Sequence, residues 1–414
     1  MSSAASGDGA SEPGPDGDGS DAAADDRGPG DGPPGPTRTR QRLPELDLLR
    51  GLALAGVILM NIPALAGWIY QDDTSLLEEV ITVIAEGKFI TIFSILFGYG
   101  AALQLSRSDG SARRRFWRRT IGLFVIGLLH GLLLYSGDIL MIYALSGVVL
   151  LAFVRMPVRR LVRWAIVSWA VGIGVLVGVG TLFALGERLD DDLATWVEDE
   201  VAEAVEVHAE GSFAEVVALR ARELHPLVLV IYMPQTVAMF LLGMALMRSG
   251  LLHRRDVETE RLLGRVGLWL IPLGLLVSWL AAEAADWIGG ITEFVIGHSV
   301  MTTFAPLLAL GYMAKLIQFH RKGWLGGAGE RIQAVGRLAL SNYLMHSLVL
   351  SFLFNGYGLG LYQQLPYWGL VLVTAALYAL MMWWSPWWLA RFRFGPAEWL
   401  LRSITYRQRQ PLRR

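Results

Sequence analysis

Ten long apolar stretches, at 47–69, 87–105, 119–136, 138–154, 163–186, 226–247, 265–286, 293–317, 335–354 and 366–389, divide the chain beyond a polar leader. Each comes near the roughly 20 residues that a helix needs to cross about 30 Å of hydrocarbon. The pattern predicts an all-α, polytopic integral membrane protein of about ten transmembrane helices. A tight connection, Ser136-Gly137-Asp138, joins the third and fourth stretches into a helical hairpin. Residues 1–42, by contrast, are Gly, Pro, Ser, Asp and Ala, with eight acids and almost no large apolar side chain. Such a segment buries too little surface to offset its ordering entropy, so a disordered, acidic Gly/Pro-rich tail is expected there. The transmembrane domain then covers 43–400, and 401–414 form a basic cytoplasmic tail.

Charge along the loops fixes an expected sidedness. Segment 107–119 holds six Arg, 155–163 four, 248–265 five, and the chain from 391 onward seven. The alternate loops are acidic: 187–225 carries twelve Asp or Glu, and 71–86 carries five acids and no base. The positive-inside rule reads this alternation as ten helices with both termini cytoplasmic, in a multi-pass protein of the plasma membrane. Within 187–225, Leu193, Trp196, Val197, Val201, Ala204 and Val205 recur at helical spacing, which predicts an extracytoplasmic amphipathic helix.

Composition excludes several classes. With 53% hydrophobic and 18% charged residues, this is no ordinary soluble domain. The absence of cysteine removes disulfides, thiolate catalysis and cysteine-ligated metals. No zinc-spaced histidine pair, phosphate loop or serine elbow occurs, and no metal site or nucleic-acid partner is expected. Trp383, Trp384, Trp387 and Trp388 read as an aromatic belt at the cytoplasmic interface.

Candidate chemistry lies in polar residues inside the spans, which are costly and by default functional. Arg50 and Asn61 are eleven residues apart on the first helix, about 16 Å of rise and close to three turns. Arg50 binds a cofactor phosphate or anionic headgroup, or serves as an interfacial anchor; Asn61 lines a cavity or bonds another helix. The hairpin carries His130, Tyr135, Asp138 and Tyr143. A histidine held by a carboxylate has its tautomer fixed and its basicity raised, as a general base requires, while Asp138 alternatively caps the fourth helix. Arg337 sits at the cytoplasmic end of the ninth helix, where Asn342, Tyr343 and His346 follow. Asn342 and His346 are four apart and share a face, as substrate-binding candidates. Lys88 enters from the outer side, to neutralise an acid such as Asp138 or to bind an anionic substrate. Glu283, Asp286, Glu293 and His298 rank below the hairpin, as markers of an outer loop.

Several of these stretches resemble the YeiB-like membrane proteins, which carry the domain of unknown function 418. They are Leu46-Asp47-Leu48-Leu49-Arg50-Gly51 leading to Met60-Asn61, Phe93-Ser94-Ile95-Leu96-Phe97-Gly98-Tyr99-Gly100, and His130 with Gly137-Asp138-Ile139-Leu140 and Tyr143-Ala144. Gly336-Arg337-Leu338-Ala339-Leu340-Ser341-Asn342-Tyr343-Leu344 and Gly395-Pro396-Ala397-Glu398-Trp399-Leu400-Leu401-Arg402-Ser403 complete the resemblance, which spans 43 to the C-terminus. That family is related in turn to transmembrane acyltransferases. Their first helix carries an Arg followed eleven residues later by His, or by Asn in the heparan-glucosaminide acetyltransferase-like branch. Arg50 and Asn61 match the second form, so the base comes from elsewhere, and His130 is the choice.

The resemblance implies acyl transfer from a cytoplasmic acyl-CoA, with no permanently bound cofactor, to an envelope sugar or lipid. Arg50 and Arg337 hold the donor phosphates, His130 with Asp138 takes the acceptor's proton, and Asn61 or Tyr143 faces the oxyanion. Lys88, Asn342 and His346 contact substrate. The same buried residues fit a transporter or permease for a small polar or anionic solute, or a non-catalytic scaffold. No oligomeric state is legible.

Overall fold

The computed structural model describes residues 43–414 apart from 72–74, 107–110, 190 and 287–289, and omits side chains at 183–184, 187–194, 197 and 284–299. The acidic tail and the side chains of Leu193, Val197, Asp286, Glu293 and His298 therefore lie outside the described residues.

The described residues are mostly helical and form no strand. Its first half contains α1 (Pro44–Leu65), α2 (Leu76–Ala85), α3 (Lys88–Leu105), α4 (Ala112–Leu133), α5 (Leu140–Val149), α6 (Val158–Leu189), α7 (Asp191–Glu210) and α8 (Phe213–Glu223). The second half contains α9 (Pro226–Ser249), α10 (Val257–Asp286), α11 (Gly290–Arg321), α12 (Gly326–Arg337), α13 (Ala339–Phe354), α14 (Tyr367–Arg391) and α15 (Pro396–Tyr406). Among the described residues, eight segments of 22 to 30 residues are long and apolar enough to cross a bilayer. The expected fourth and ninth spans are the two shorter apolar helices, Leu140–Ala152 and Ala339–Phe354.

α1 is central. Leu48, Leu49, Ala53, Leu54, Ile58 and Ile62 are all at most 1% exposed, so more than one face is enclosed by protein. Pro44 opens this helix, where a missing N–H is harmless. The lipid-facing helices look different: α6 and α10 turn Ile166, Val177, Leu268 and Trp269 outward. α2 was not foreseen. Ser75 caps it, its hydroxyl accepting from Glu78 N at 3.2 Å, and Gly87 (φ 73°) turns the chain sharply into α3.

Small residues set the closest crossings, because nothing else lets two backbones touch. A Cβ added at Gly98 of α3 would stand 2.1 Å from the Phe240 carbonyl oxygen of α9, and one at Gly243 of α9 would stand 1.9 Å from that of Ile95. Gly243→Val therefore forces the pair apart and should cost about 1–3 kcal/mol or more. The readout is a lower melting temperature of the detergent-solubilised protein. Gly174→Val, where an added Cβ meets nothing within 4 Å, should leave it unchanged.

The region expected as one amphipathic helix is two, α7 and α8, separated by a capping box of Ser212 and Glu215. Together they roof the end of the bundle that carries the acidic loops. His208 of α7 bonds Asn355 Oδ1 through Nδ1 at 2.6 Å, and its ring stacks on Tyr362. Asn355 Nδ2 donates to the Ser351 carbonyl, so its Oδ1 faces histidine and His208 Nδ1 carries the proton. Burial pushes the His208 imidazole below its ordinary value, which keeps it neutral. Arg220 of α8, 1% exposed, donates to the Leu133 carbonyl (2.8 Å) and to Ser351 Oγ (3.0 Å). It thereby satisfies the C-terminal end of α4 from outside that helix.

At the other end, α15 runs through residue 400, so the last helix continues into the segment expected as a tail. Its Glu398 accepts from Leu340 N (2.8 Å), Ser341 N (3.1 Å) and the Ser341 hydroxyl, capping α13 at the break near Leu338. The tryptophan group divides. Trp383 and Trp387 face outward, whereas Trp384 and Trp388 turn inward, their indole N–H groups bonding Asn342 Oδ1 and the Phe394 carbonyl.

Candidate functional site

The hairpin of α4 and α5 places its two ionisable residues in contact. α4 ends at Leu133 and the turn returns the chain so that Asp138 stands beside His130. Gly127 makes room, since a Cβ there would lie 2.6 Å from Asp138 Oδ2. His130 Nδ1 meets Asp138 Oδ1 at 2.8 Å, with both side chains at most 1% exposed. Asp138 Oδ2 accepts from Met141 N at 2.9 Å, so the carboxylate caps the ten-residue α5 while holding the imidazole. The two sequence alternatives, orienting group and helix cap, are one arrangement.

With Nδ1 directed at the carboxylate, Nε2 is the proton-accepting nitrogen. That atom is buried without a hydrogen-bond partner. α13 closes over this pair. Tyr343 OH donates to Asp138 Oδ1 at 3.4 Å, and its ring centroid lies 4.9 Å from that of His130 and 5.2 Å from that of His346. His346 is also fully buried, with Nδ1 unpartnered.

A cavity of about 550 Å³ lies against the hairpin. Asn61, Asp138 and Tyr143 line it, together with Ser94, Gln235 and Tyr232. Asn61 has no hydrogen-bond partner among the described residues, and Pro63 follows it on the same wall. Tyr143 OH is 2.8 Å from Ser94 Oγ and donates to the Ile90 carbonyl at 3.1 Å. His130 is not among the lining residues; it sits behind Asp138, which presents the pair to the cavity. Three more carboxylates, Glu78, Glu86 and Glu223, ring the cavity at the acidic-loop end, with His225 the one basic type among the described lining residues. Behind Tyr143 lies an aromatic cluster: Phe97 is 5.4 Å from Tyr143 and 4.6 Å from Phe240 between ring centroids.

The remaining candidates are elsewhere. Asn342 is fully engaged, donating to the Val335 carbonyl and Ser385 Oγ (both 3.2 Å) and accepting from Trp384 Nε1 (3.0 Å). It fastens α13 to α12 and α14 and does not face the cavity. Lys88 is 0% exposed, its ammonium 3.4 Å from the Thr82 carbonyl and 3.9 Å from Met301 Sδ, apart from Asp138. Arg50 pairs with Asp47 at 3.0 Å and remains 29% exposed at the arginine-rich end. Arg337 closes α12, where Gly336 presses against the Asp47 carbonyl of α1.

Sequence reasoning missed Ser94, Glu223 and Arg220. The first sits in a quoted motif beside Phe93; for the other two, the long acidic loop gave no sign of reaching the site.

Comparison with known proteins divides the chain in two. Residues 42–190 match a family described as the catalytic domain of heparan-alpha-glucosaminide N-acetyltransferase, and 246–408 match the protein of unknown function DUF418. The first stretch contains Arg50, Asn61, Lys88, His130, Asp138 and Tyr143; the second contains Arg337, Asn342, Tyr343 and His346. The chain is 30% identical to YeiB of Escherichia coli, covering 88% of this chain and 97% of that one. It is 29% identical to YxaH of Bacillus subtilis, covering 91% and 97%, and 22% identical to a 39.9 kDa Bacillus acidopullulyticus protein over the same shares.

Proposed function

The chain belongs to the YeiB-like DUF418 family of multi-pass membrane proteins, and from that membership we propose that it is an acyltransferase of the plasma membrane. It passes an acyl group from a cytoplasmic acyl-CoA to an envelope sugar or lipid. The observation that carries this reading is the meeting of Asn61, Asp138 and Tyr143 on one cavity. All three lie in the stretch similar to an acetyltransferase catalytic domain, and a histidine–carboxylate pair forms part of the wall.

In this reading the donor arrives from the arginine-rich side, with its phosphates at Arg50 and its thioester rising along α1 to Asn61. The acceptor enters from the acidic-loop end. Its hydroxyl or amine attacks the thioester carbon and its proton passes to the Asp138–His130 pair. The carbon–sulfur bond then breaks and the proton held by the pair passes to the departing sulfur, so coenzyme A leaves as the thiol. Asn61 has an amide to offer the developing oxyanion, whereas the Tyr143 hydroxyl donates to Ile90. Tyr343 steadies Asp138 from behind.

The carboxylates around the mouth disfavour an anionic acceptor and favour a neutral or amine-bearing one. Glu223→Gln should therefore raise KM for a cationic acceptor several-fold, change kcat little, and leave neutral acceptors nearly unaffected. Equal effects on both acceptor types would remove this electrostatic role.

The decisive experiment compares envelope lipids and glycans by mass spectrometry with and without the gene, then supplies labelled acetyl-CoA to the purified protein in nanodiscs. Loss of an acyl mass in the deletion, restored by transfer in vitro, identifies the reaction. Identical envelopes and no transfer remove it. The buried polar lining of the cavity, with Asn61, Asp138 and Gln235, favours a second reading, a carrier for a small polar solute. Flux into proteoliposomes without any covalent product would select that reading.

A further inference from the structure

α1 and α4 share a spacing. Arg50 precedes Asn61 by eleven residues, and Arg119 precedes His130 by the same eleven. Both helices are continuous over that interval, so each arginine lies about 16 Å, or three turns, below its polar partner. Both helices also start from the arginine-rich end, which puts the two guanidiniums at one level.

α3 joins them. The Arg119 guanidinium rests over the Phe97 ring, 5.0 Å from its centroid, and donates to Gln104 Oε1 at 3.4 Å. Arg50 approaches Gly100, where an added Cβ would lie 3.9 Å from its Nη2. Phe97, Gly100 and Gln104 follow one another at intervals of three and four, which is one face of a helix. α15 packs on α4 just above Arg119, where a Cβ at Gly122 would meet Leu401 at 3.0 Å and Ile404 at 3.3 Å, and Arg119 is in electrostatic range of Arg50, Arg402 and Tyr406. Among the described residues Arg119 has no carboxylate partner; a long bond to an amide and an aromatic face are what hold it. Asp47 answers the charge of Arg50 at 3.0 Å, whereas the Arg119 guanidinium fork, with no carboxylate among the described residues, suits the oxygens of a phosphate.

We infer that Arg119 and Arg402 complete, with Arg50, a binding site for a phosphate-bearing ligand three helical turns beneath the cavity. An acyl-CoA offers such phosphates, on an arm long enough to climb toward Asn61; for that ligand the inference rests on the acyl-transfer reading. A phospholipid headgroup presents the same chemistry. The site also connects to the cavity wall: Arg119 lies over Phe97, which stacks on Phe240 and meets Tyr143 edge-on, so a phosphate that draws Arg119 aside bears on a residue that lines the cavity.

The test uses the full-length protein in phosphatidylcholine nanodiscs, titrated with coenzyme A and with inorganic phosphate as probes. Arg119→Gln and Arg402→Gln should each weaken coenzyme A binding at least tenfold. Arg119→Lys should fall between, and Arg113→Gln, exposed on the same helix, should match the parent. Melting temperatures of all four variants check that the fold persists. In a second arm, native mass spectrometry counts phosphatidylglycerol retained by each variant. Retention lost in Arg119→Gln, with coenzyme A binding unchanged, assigns the site to a lipid headgroup. If neither probe depends on Arg119 or Arg402, the inference is overturned, even where Arg50 variants still impair acyl transfer. Coenzyme A binding that needs Arg119, without any acyl transfer, leaves this site standing and removes the enzymatic reading instead.

Discussion

If the protein transfers acyl groups as proposed, His130→Ala should lower turnover of the purified protein by about 10²- to 10⁴-fold, the usual contribution of a positioned acid–base group. The pair is buried, and His130 Nδ1 meets the carboxylate of Asp138, the member of the pair that lines the cavity. Alanine also strips one donor from a buried carboxylate, so part of the loss will reflect a weakened fold. His130→Asn separates the two effects, because its amide N–H replaces the donor near Nδ1 without supplying a base. Turnover should vanish in both variants, while the melting temperature falls clearly in the alanine variant and little in the asparagine variant. Activity undiminished in His130→Asn would take this residue out of the chemistry.

The largest effect on stability should come from a residue far from the cavity. Glu398 accepts three hydrogen bonds at the start of α13, from Leu340 N, Ser341 N and the Ser341 hydroxyl. Glu398→Ala leaves these donors buried without a partner, at about 1–3 kcal/mol each, and removes a negative group from a helix N-terminus. A loss of about 3–5 kcal/mol is expected, seen as a sharp fall in melting temperature and yield. Glu398→Gln keeps one carbonyl acceptor and should be intermediate. If the alanine variant melts with the parent, α13 does not depend on this cap.

Much of the architecture was legible because lipid-spanning helices announce themselves by length and hydropathy. All ten apolar stretches correspond to apolar helices, and the hairpin turn at Ser136-Gly137-Asp138 implied that His130 and Asp138 would meet. What the sequence hid came from partners distant along the chain. Asn342 and His346 share a helical face by spacing, yet Trp384, 42 residues on, claims the Asn342 carbonyl oxygen and turns the amide into a joint between helices. Lys88 looked like a group entering from the surface, but α2 and the left-handed Gly87 fold over it and seal it in. Arg220 belonged to an acidic loop that gave no hint of ending on α4. The pairing of Arg119 with Arg50 was masked by the loop's count of arginines, which reads as sidedness before it reads as chemistry.

Two fastenings around the hairpin limit how this protein can be taken apart. The stretch resembling a catalytic domain supplies His130 and Asp138, but Arg220 and Tyr343, which brace them, come from later in the chain. Expressed as an isolated fragment, 42–190 would lack both braces. The first half is thus not an autonomous module, and a chimera that swaps it between relatives must carry its matching roof and C-terminal helices.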